Sequence, residues 1–190
     1  MRCFVALVPP QELQDAVSDW SEEALGPIDG VRAVSAESLH VTLAFLGEIE
    51  EERTEIAAEL VRGVESRPVR IRLGSVLSAV PHKRPRVLAL VEEAGDAAPL
   101  QREVASALVG AGLLEPERRP FWSHLTVARV KRGMLRGNAG KGVIAAVPAP
   151  GGAGRRTHYA KALTLYRSEL GKGPASYTAL ATLDLPDGGL

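Results

Sequence analysis

Leu39-His40-Val41-Thr42-Leu43-Ala44 and Ser123-His124-Leu125-Thr126-Val127-Ala128 decide how this chain is read. Both segments have the form x-His-apolar-Thr-apolar-Ala. In a β-strand, residues i and i+2 point to the same side. His40 and Thr42 therefore share one face, with Val41, Leu43 and Phe45 turned to the core. His124 and Thr126 share a face opposite Leu125 and Val127. Each strand offers an imidazole beside a hydroxyl on an apolar scaffold. With 4 histidines in the chain, two such coincidences should arise in roughly 1% of shuffled sequences.

The flanking sequence repeats the same plan. A strand, a helix and a strand carrying His-x-Thr occur twice, and Arg2 precedes His40 by the same interval as Arg86 precedes His124. The 84 residues that separate His40 from His124 are too many for a solenoid repeat and suit a duplicated half-domain. The pattern predicts strands at 2–8, 39–46, 69–77, 86–92, 121–130, 159–167 and 175–183. It predicts helices at 11–25, 50–64 and 97–109. Pro9-Pro10 ends the first strand, and Gly26-Pro27 ends the first helix. Residues 133–154, rich in Gly, Ala and Pro, read as a loop with a short apolar piece at 143–147. A turn at 170–174 joins the last two strands. Strands mixed with helices through hairpin-like connections point to an α+β fold with mostly antiparallel sheets.

Composition excludes several classes. The chain has 190 residues, 45% of them hydrophobic, enough to bury a sizeable core. Lys plus Arg and Asp plus Glu balance at 23 each, so no global positive field draws in long nucleic acid. An RNA partner would be held locally, at an end or a single phosphate. Cys3 is the only cysteine, which rules out an internal disulfide and a cysteine-rich zinc site. It lies in an apolar strand and reads as core rather than nucleophile. The apolar run at 3–8 is too short for a signal peptide or a membrane span, so a cytoplasmic protein is expected.

Two histidines beside two hydroxyls suit the opening of a cyclic phosphodiester by water. A base must take the water proton and an acid must protonate the leaving sugar oxygen. Histidine titrates near pH ~6.5, so a pair can hold opposite protonation states near neutrality. Thr42 and Thr126 can donate to non-bridging phosphate oxygens, where charge builds in the transition state. A metal site fits less well, because threonine is a poor ligand and neither strand has a carboxylate at close spacing. No cofactor is called for.

Beyond these motifs the chain resembles the 2H phosphoesterase superfamily, named for its two His-x-Thr/Ser-x motifs. Within it the resemblance is to the bacterial RNA 2′,3′-cyclic phosphodiesterases, historically called 2′-5′ RNA ligases. Residues 2–7 resemble that family's opening strand, 39–48 its first motif and 124–129 its second. Tyr166-Arg167-Ser168-Glu169-Leu170 and Tyr177 resemble its C-terminal hairpin. The family often has Pro where this chain has Ser123, and Trp in the strand that here reads Arg86-Val87-Leu88-Ala89-Leu90.

The resemblance implies a bilobal, pseudo-symmetric, duplicated fold, one domain of two intertwined lobes around a central cleft. It implies that His40 protonates the leaving 3′ oxygen, that His124 activates water and that Thr42 and Thr126 hold the phosphate. Arg129 would add a positive contact, although simple alternation turns it away from His124; that role requires a bulge or the end of the strand there. Phe4 and Tyr177 would line the cleft against the nucleoside, and Trp122 shares the face of His124. The expected substrates are RNA ends or nucleotides bearing a 2′,3′-cyclic phosphate, turned over by a monomer, with reverse 2′-5′ joining possible in principle. The motif sees only the phosphate. A non-catalytic binder of phosphate-ended RNA, or an enzyme acting on 2′-5′ oligoadenylate or an ADP-ribose cyclic phosphate, fits the same residues.

Overall fold

β1 (Arg2–Val8) is an almost unbroken apolar run, and Cys3, Val5, Ala6 and Leu7 have no exposed surface. A strand so apolar belongs inside a sheet rather than at its edge, and the computed structural model, which describes residues 1–169 and 175–189, gives it a strand neighbour on each edge. The order of the first sheet is β10 (Ser176–Asp184), β9 (Ala162–Glu169), β1, β3 (Val41–Glu48). The second sheet runs β2 (Val31–Ala33), β7 (His124–Val130), β6 (Val87–Glu92), β5 (Leu73–Val80). A small ladder pairs β4 (Arg70–Ile71) with β8 (His158–Tyr159). Every pairing is antiparallel. The fold is α+β, with one His-Thr strand in each four-stranded sheet.

The helices form where apolar residues recur on one face. α1 (Gln11–Leu25) buries Leu13, Val17 and Leu25, each worth about 1.5–3 kcal/mol of burial. The carbonyl of Pro10 accepts from the N–H groups of Leu13 and Gln14 at its start. α2 (Glu51–Arg62) buries Ala57, Ala58 and Val61, and α3 (Ala97–Gly110) buries Leu100, Val104 and Leu108. The packing interlocks the halves. α1 follows a strand of the first sheet yet lies on β2 and β7 of the second, while α3 follows a strand of the second yet lies on β3 of the first. One continuous apolar core results.

The duplication extends to irregularities. Val5 pairs with Ala44 and Ala6 with Thr42, so Leu43 is an extra residue in β3. Leu88 pairs with Ala128 and Ala89 with Thr126, so Val127 is an extra residue in β7. Each bulge sits directly after the threonine and reverses the alternation beyond it. Leu43 and Ala44 are both buried, as are Val127 and Ala128. Phe45 and Arg129 emerge on the same side as the threonines. Phe45, expected in the core, is therefore 48% exposed. The register also matches Phe4 with Phe45 and Val87 with Arg129, so the equal arginine spacings do not mark structurally equivalent positions.

Other boundaries differ for local reasons. The strand expected at 69–77 divides, because β4 pairs with β8 while β5 pairs with β6. The strand expected at 159–167 likewise divides into β8 and β9 as its partner changes. β2 was not anticipated; three residues leave no readable period. The segment 133–154 is not all loop, since α4 (Gly137–Ala145) lies within it. Its small residues allow that. A Cβ on Gly140 would stand 2.1 Å from the carbonyl carbon of Leu135, so only glycine lets the helix approach this closely. The indole of Trp20 donates to Pro148 O at 3.0 Å and ties this segment to α1. The turn expected at 170–174 lies outside the described residues. No helix among the described residues is long and apolar enough to cross a membrane.

Candidate active site

His40 and His124 are held alike. His40 lies one residue before β3, and its Nδ1 is 2.8 Å from the carbonyl oxygen of Ser38. His124 opens β7, and its Nδ1 is 2.8 Å from the carbonyl oxygen of Trp122. A carbonyl can only accept, so each Nδ1 carries the proton and donates it. In the neutral ring the Nε2 lone pair is then left available as a base. Two backbone carbonyls thus fix the tautomer and aim of both rings.

Both rings line one cleft of about 590 Å³ with Thr42 and Thr126. The structure also brings Arg129, Phe4 and Tyr177 to this cleft, whereas Trp122 stacks on His124 without being part of its lining. For Arg129 the Val127 bulge supplies the required change of face. Phe4 is only 4% exposed, and its ring is already engaged. Its centroid lies 4.9 Å from that of His40, 5.4 Å from Tyr166 and 5.2 Å from Tyr177. The Tyr177 ring meets His40 edge-on at 5.2 Å. His40 is therefore walled by aromatic rings. Among the described residues His124 has a single aromatic neighbour, Trp122, stacked at 4.0 Å and 19°.

These surroundings set the protonation of the free site. Burial pushes His40 down to about 4; the hydrogen bond to Ser38 opposes this, while the positive charge of Arg129 and the nearby His124 add to it. Burial also lowers His124, opposed by the hydrogen bond to Trp122 and aided by Arg129. Both imidazoles are thus neutral at pH 7 in the empty cleft. An anion between them would favour the imidazolium form and raise both.

The sequence did not reveal the rest of the lining. Arg2, Arg32, Ser35, Ser38, Phe45 and Ser168 also face the cleft. The Arg2 guanidinium lies over the Phe45 ring, 4.7 Å from its centroid. Arg2 could have been suspected from its place two residues before Phe4 on the same strand face; Arg32, on a three-residue strand, carried no signal. Three arginines and no carboxylate line this cleft among the described residues, although the whole chain is formally neutral. The charge is local and suits an anion. Among the described residues no three His, Cys, Asp or Glu side chains are grouped to hold a metal ion. Two remaining histidines stand apart. His158 is buried, with Nε2 2.6 Å from Ala153 O, and His82 lies on an exposed turn.

Known proteins share this arrangement of elements. A family model described as LigT like Phosphoesterase matches residues 7–89, which include the first motif. An RNA 2′,3′-cyclic phosphodiesterase of Archaeoglobus fulgidus is 35% identical over 133 residues, covering 70% of this chain and 74% of that protein. An RNA 2′,3′-cyclic phosphodiesterase of Escherichia coli is 30% identical over 184 residues, covering 94% of this chain and 93% of that protein. The crystal structure of E. coli LigT complexed with NADP+ matches with a TM-score of 0.73 at 26% identity, over 97% of this chain and 96% of that one.

Proposed function

Because the chain belongs to the LigT-like phosphoesterase family, we propose that it opens the 2′,3′-cyclic phosphate of an RNA end to a 2′-phosphate, with His40 and His124 as general acid and base. The observation that carries this reading is the matched pair of Nδ1 hydrogen bonds, which leaves two Nε2 atoms to exchange protons across one cleft.

The steps follow from the residues. The Thr42 and Thr126 hydroxyls and the Arg129 guanidinium hold the non-bridging oxygens, whose charge grows as phosphorus gains its fifth oxygen. Nε2 of His124 takes a proton from water, and the water oxygen bonds to phosphorus. The bond from phosphorus to the 3′ oxygen breaks, and Nε2–H of His40 protonates that oxygen. His124 ends protonated and His40 neutral, and proton exchange with solvent resets the pair. The bound phosphate anion is what lets His40 carry its proton near neutrality, since burial alone holds it at about 4.

The asymmetry of the two rings supports this division of labour. His124 lies on the more open side, stacked only on a half-exposed Trp122, where water has access. His40 is enclosed by Phe4, Tyr166 and Tyr177, an apolar setting suited to a leaving sugar oxygen. NADP+, found with E. coli LigT, carries a phosphate on a ribose 2′ oxygen, the kind of group this reaction would leave. With the 5′ hydroxyl of a second strand in place of water, the same proton exchanges would give a 2′-5′ linkage: the hydroxyl oxygen bonds to phosphorus as His124 takes its proton, and the 3′ oxygen leaves with the proton of His40. We take the protein to act without a metal and as a monomer, in the cytoplasm, where the single buried Cys3 would stay reduced.

The test is to incubate EDTA-treated protein with an oligonucleotide ending in a 2′,3′-cyclic phosphate and identify the product by phosphorus NMR. A 2′-phosphate is expected. A 3′-phosphate would reverse the assignment of the leaving oxygen, and binding without turnover would make the chain a receptor for phosphate ends.

A further inference from the structure

Arg32 and Arg129 are direct backbone partners across β2 and β7. Like charges placed opposite each other on neighbouring strands repel. Neither guanidinium is in an ion pair among the described residues. Both reach the cleft that holds the histidines. Both also border an adjoining depression of about 340 Å³, lined by Gly30, Val31, Arg32, Arg129, Val130 and Lys131. Arg129 thus stands between two hollows, with Thr126 on one side and Lys131 on the other.

A cyclic phosphate carries a single negative charge. Against it the cleft sets Arg129 and Arg32, with Arg2 held over Phe45 and Lys131 just beyond. The cationic groups exceed what the reacting phosphate can neutralise, and Arg32, Arg129 and Lys131 gather at the second hollow. We propose that the depression beside Arg129 is a second phosphate subsite, in which Arg32 grips the 5′ phosphate of the nucleotide whose cyclic phosphate reacts, with Arg129 shared between that phosphate and the reacting one. This rests on the cyclic phosphodiesterase reading and narrows it: the preferred substrate carries a further phosphate one ribose away, as an oligonucleotide end does and a simple nucleoside cyclic phosphate does not. Arg32 acts as a specificity-determining residue. Its planar fork suits two phosphate oxygens at once.

The experiment compares binding of adenosine 2′-monophosphate and adenosine 2′,5′-bisphosphate by calorimetry, so it needs no turnover. The bisphosphate is expected to bind about tenfold more tightly or better, the gain of one charge-assisted contact. In Arg32→Gln the two affinities should converge, and Arg32→Lys should keep part of the difference as a point charge without the fork. Circular dichroism checks that each variant folds. Raising salt should also narrow the difference in the unaltered protein, a reading that needs no variant. Equal affinities in the unaltered protein, or a full preference surviving in folded Arg32→Gln, would overturn the proposal. Hydrolysis of adenosine 2′,3′-cyclic phosphate by the same sample reports on the chemistry separately, so a failed subsite and a failed phosphodiesterase give different results.

Discussion

His40 and His124 each donate Nδ1–H to the carbonyl of the residue two places earlier, Ser38 and Trp122, and both bonds measure 2.8 Å. A fixed tautomer matters more to a proton-transfer pair than proximity alone, because a ring turned over would aim the wrong nitrogen.

His40→Ala or His124→Ala should each lower kcat by about 10²–10⁴-fold with the fold retained, as expected for loss of one general acid or base. The double variant should be little worse than either single one, since the two groups act as a unit. Steady-state rates with circular dichroism check this; a fully active single variant would refute the acid-base assignment.

The pH profile should separate the free from the occupied site. Free His40 sits at about 4 and His124 below its ordinary value. kcat/KM, which reports the free enzyme, should peak on the acid side of pH ~6.5. kcat should peak at higher pH, because the bound anion raises both groups. Stability follows the same sign. The unfolded chain takes up these protons near pH ~6.5 and the folded chain resists them. Stability is therefore full above that value and falls as pH drops toward about 4. Added inorganic phosphate should restore part of it, read as a higher Tm at pH 5.

Arg129→Gln should act in two ways at once. Losing a donor to the developing charge should cost about 10–10³-fold in kcat/KM. Removing the positive neighbour should raise the pKa of both histidines in the free protein. Proton NMR titration of the imidazoles measures the second effect, which a merely structural role for Arg129 would not produce.

Phe4→Ala should widen the cleft rather than leave a closed cavity, and should destabilise the protein by less than the about 3–5 kcal/mol of a core Phe→Ala change, seen as a lower Tm. Phe4→Leu should fold but leave the His40 ring less well supported, and should lower kcat more than it raises KM.

The pairing of each histidine with its threonine was legible because i and i+2 share a strand face whatever the neighbouring strands do. What lay beyond the threonines was not. A bulge is decided by the partner strand, so alternation sent Phe45 to the core and Arg129 to the wrong face, and only a family resemblance kept Arg129 in view. Arg32 was invisible for the same kind of reason: a three-residue strand exists because β7 is there to pair with it. α4 was hidden by composition. Gly and Ala form no apolar stripe, and the helix is specified by a close approach at Gly140 rather than by pattern. The divided strands, β4 with β5 and β8 with β9, record a change of partner within one run of extended sequence.

The exchange of elements between the two sheets bears on how the protein comes into being on the ribosome. The first sheet needs β9 and β10, which are synthesised after both motifs, and the walls of His40 include Tyr166 and Tyr177 from those strands. Until they emerge, β1 has no partner on that edge and His40 lacks the walls that Tyr166 and Tyr177 supply. The nascent chain therefore carries both motifs through the exit tunnel before it can cut anything, and the reactive pair is completed only when synthesis has passed the last ordered strand.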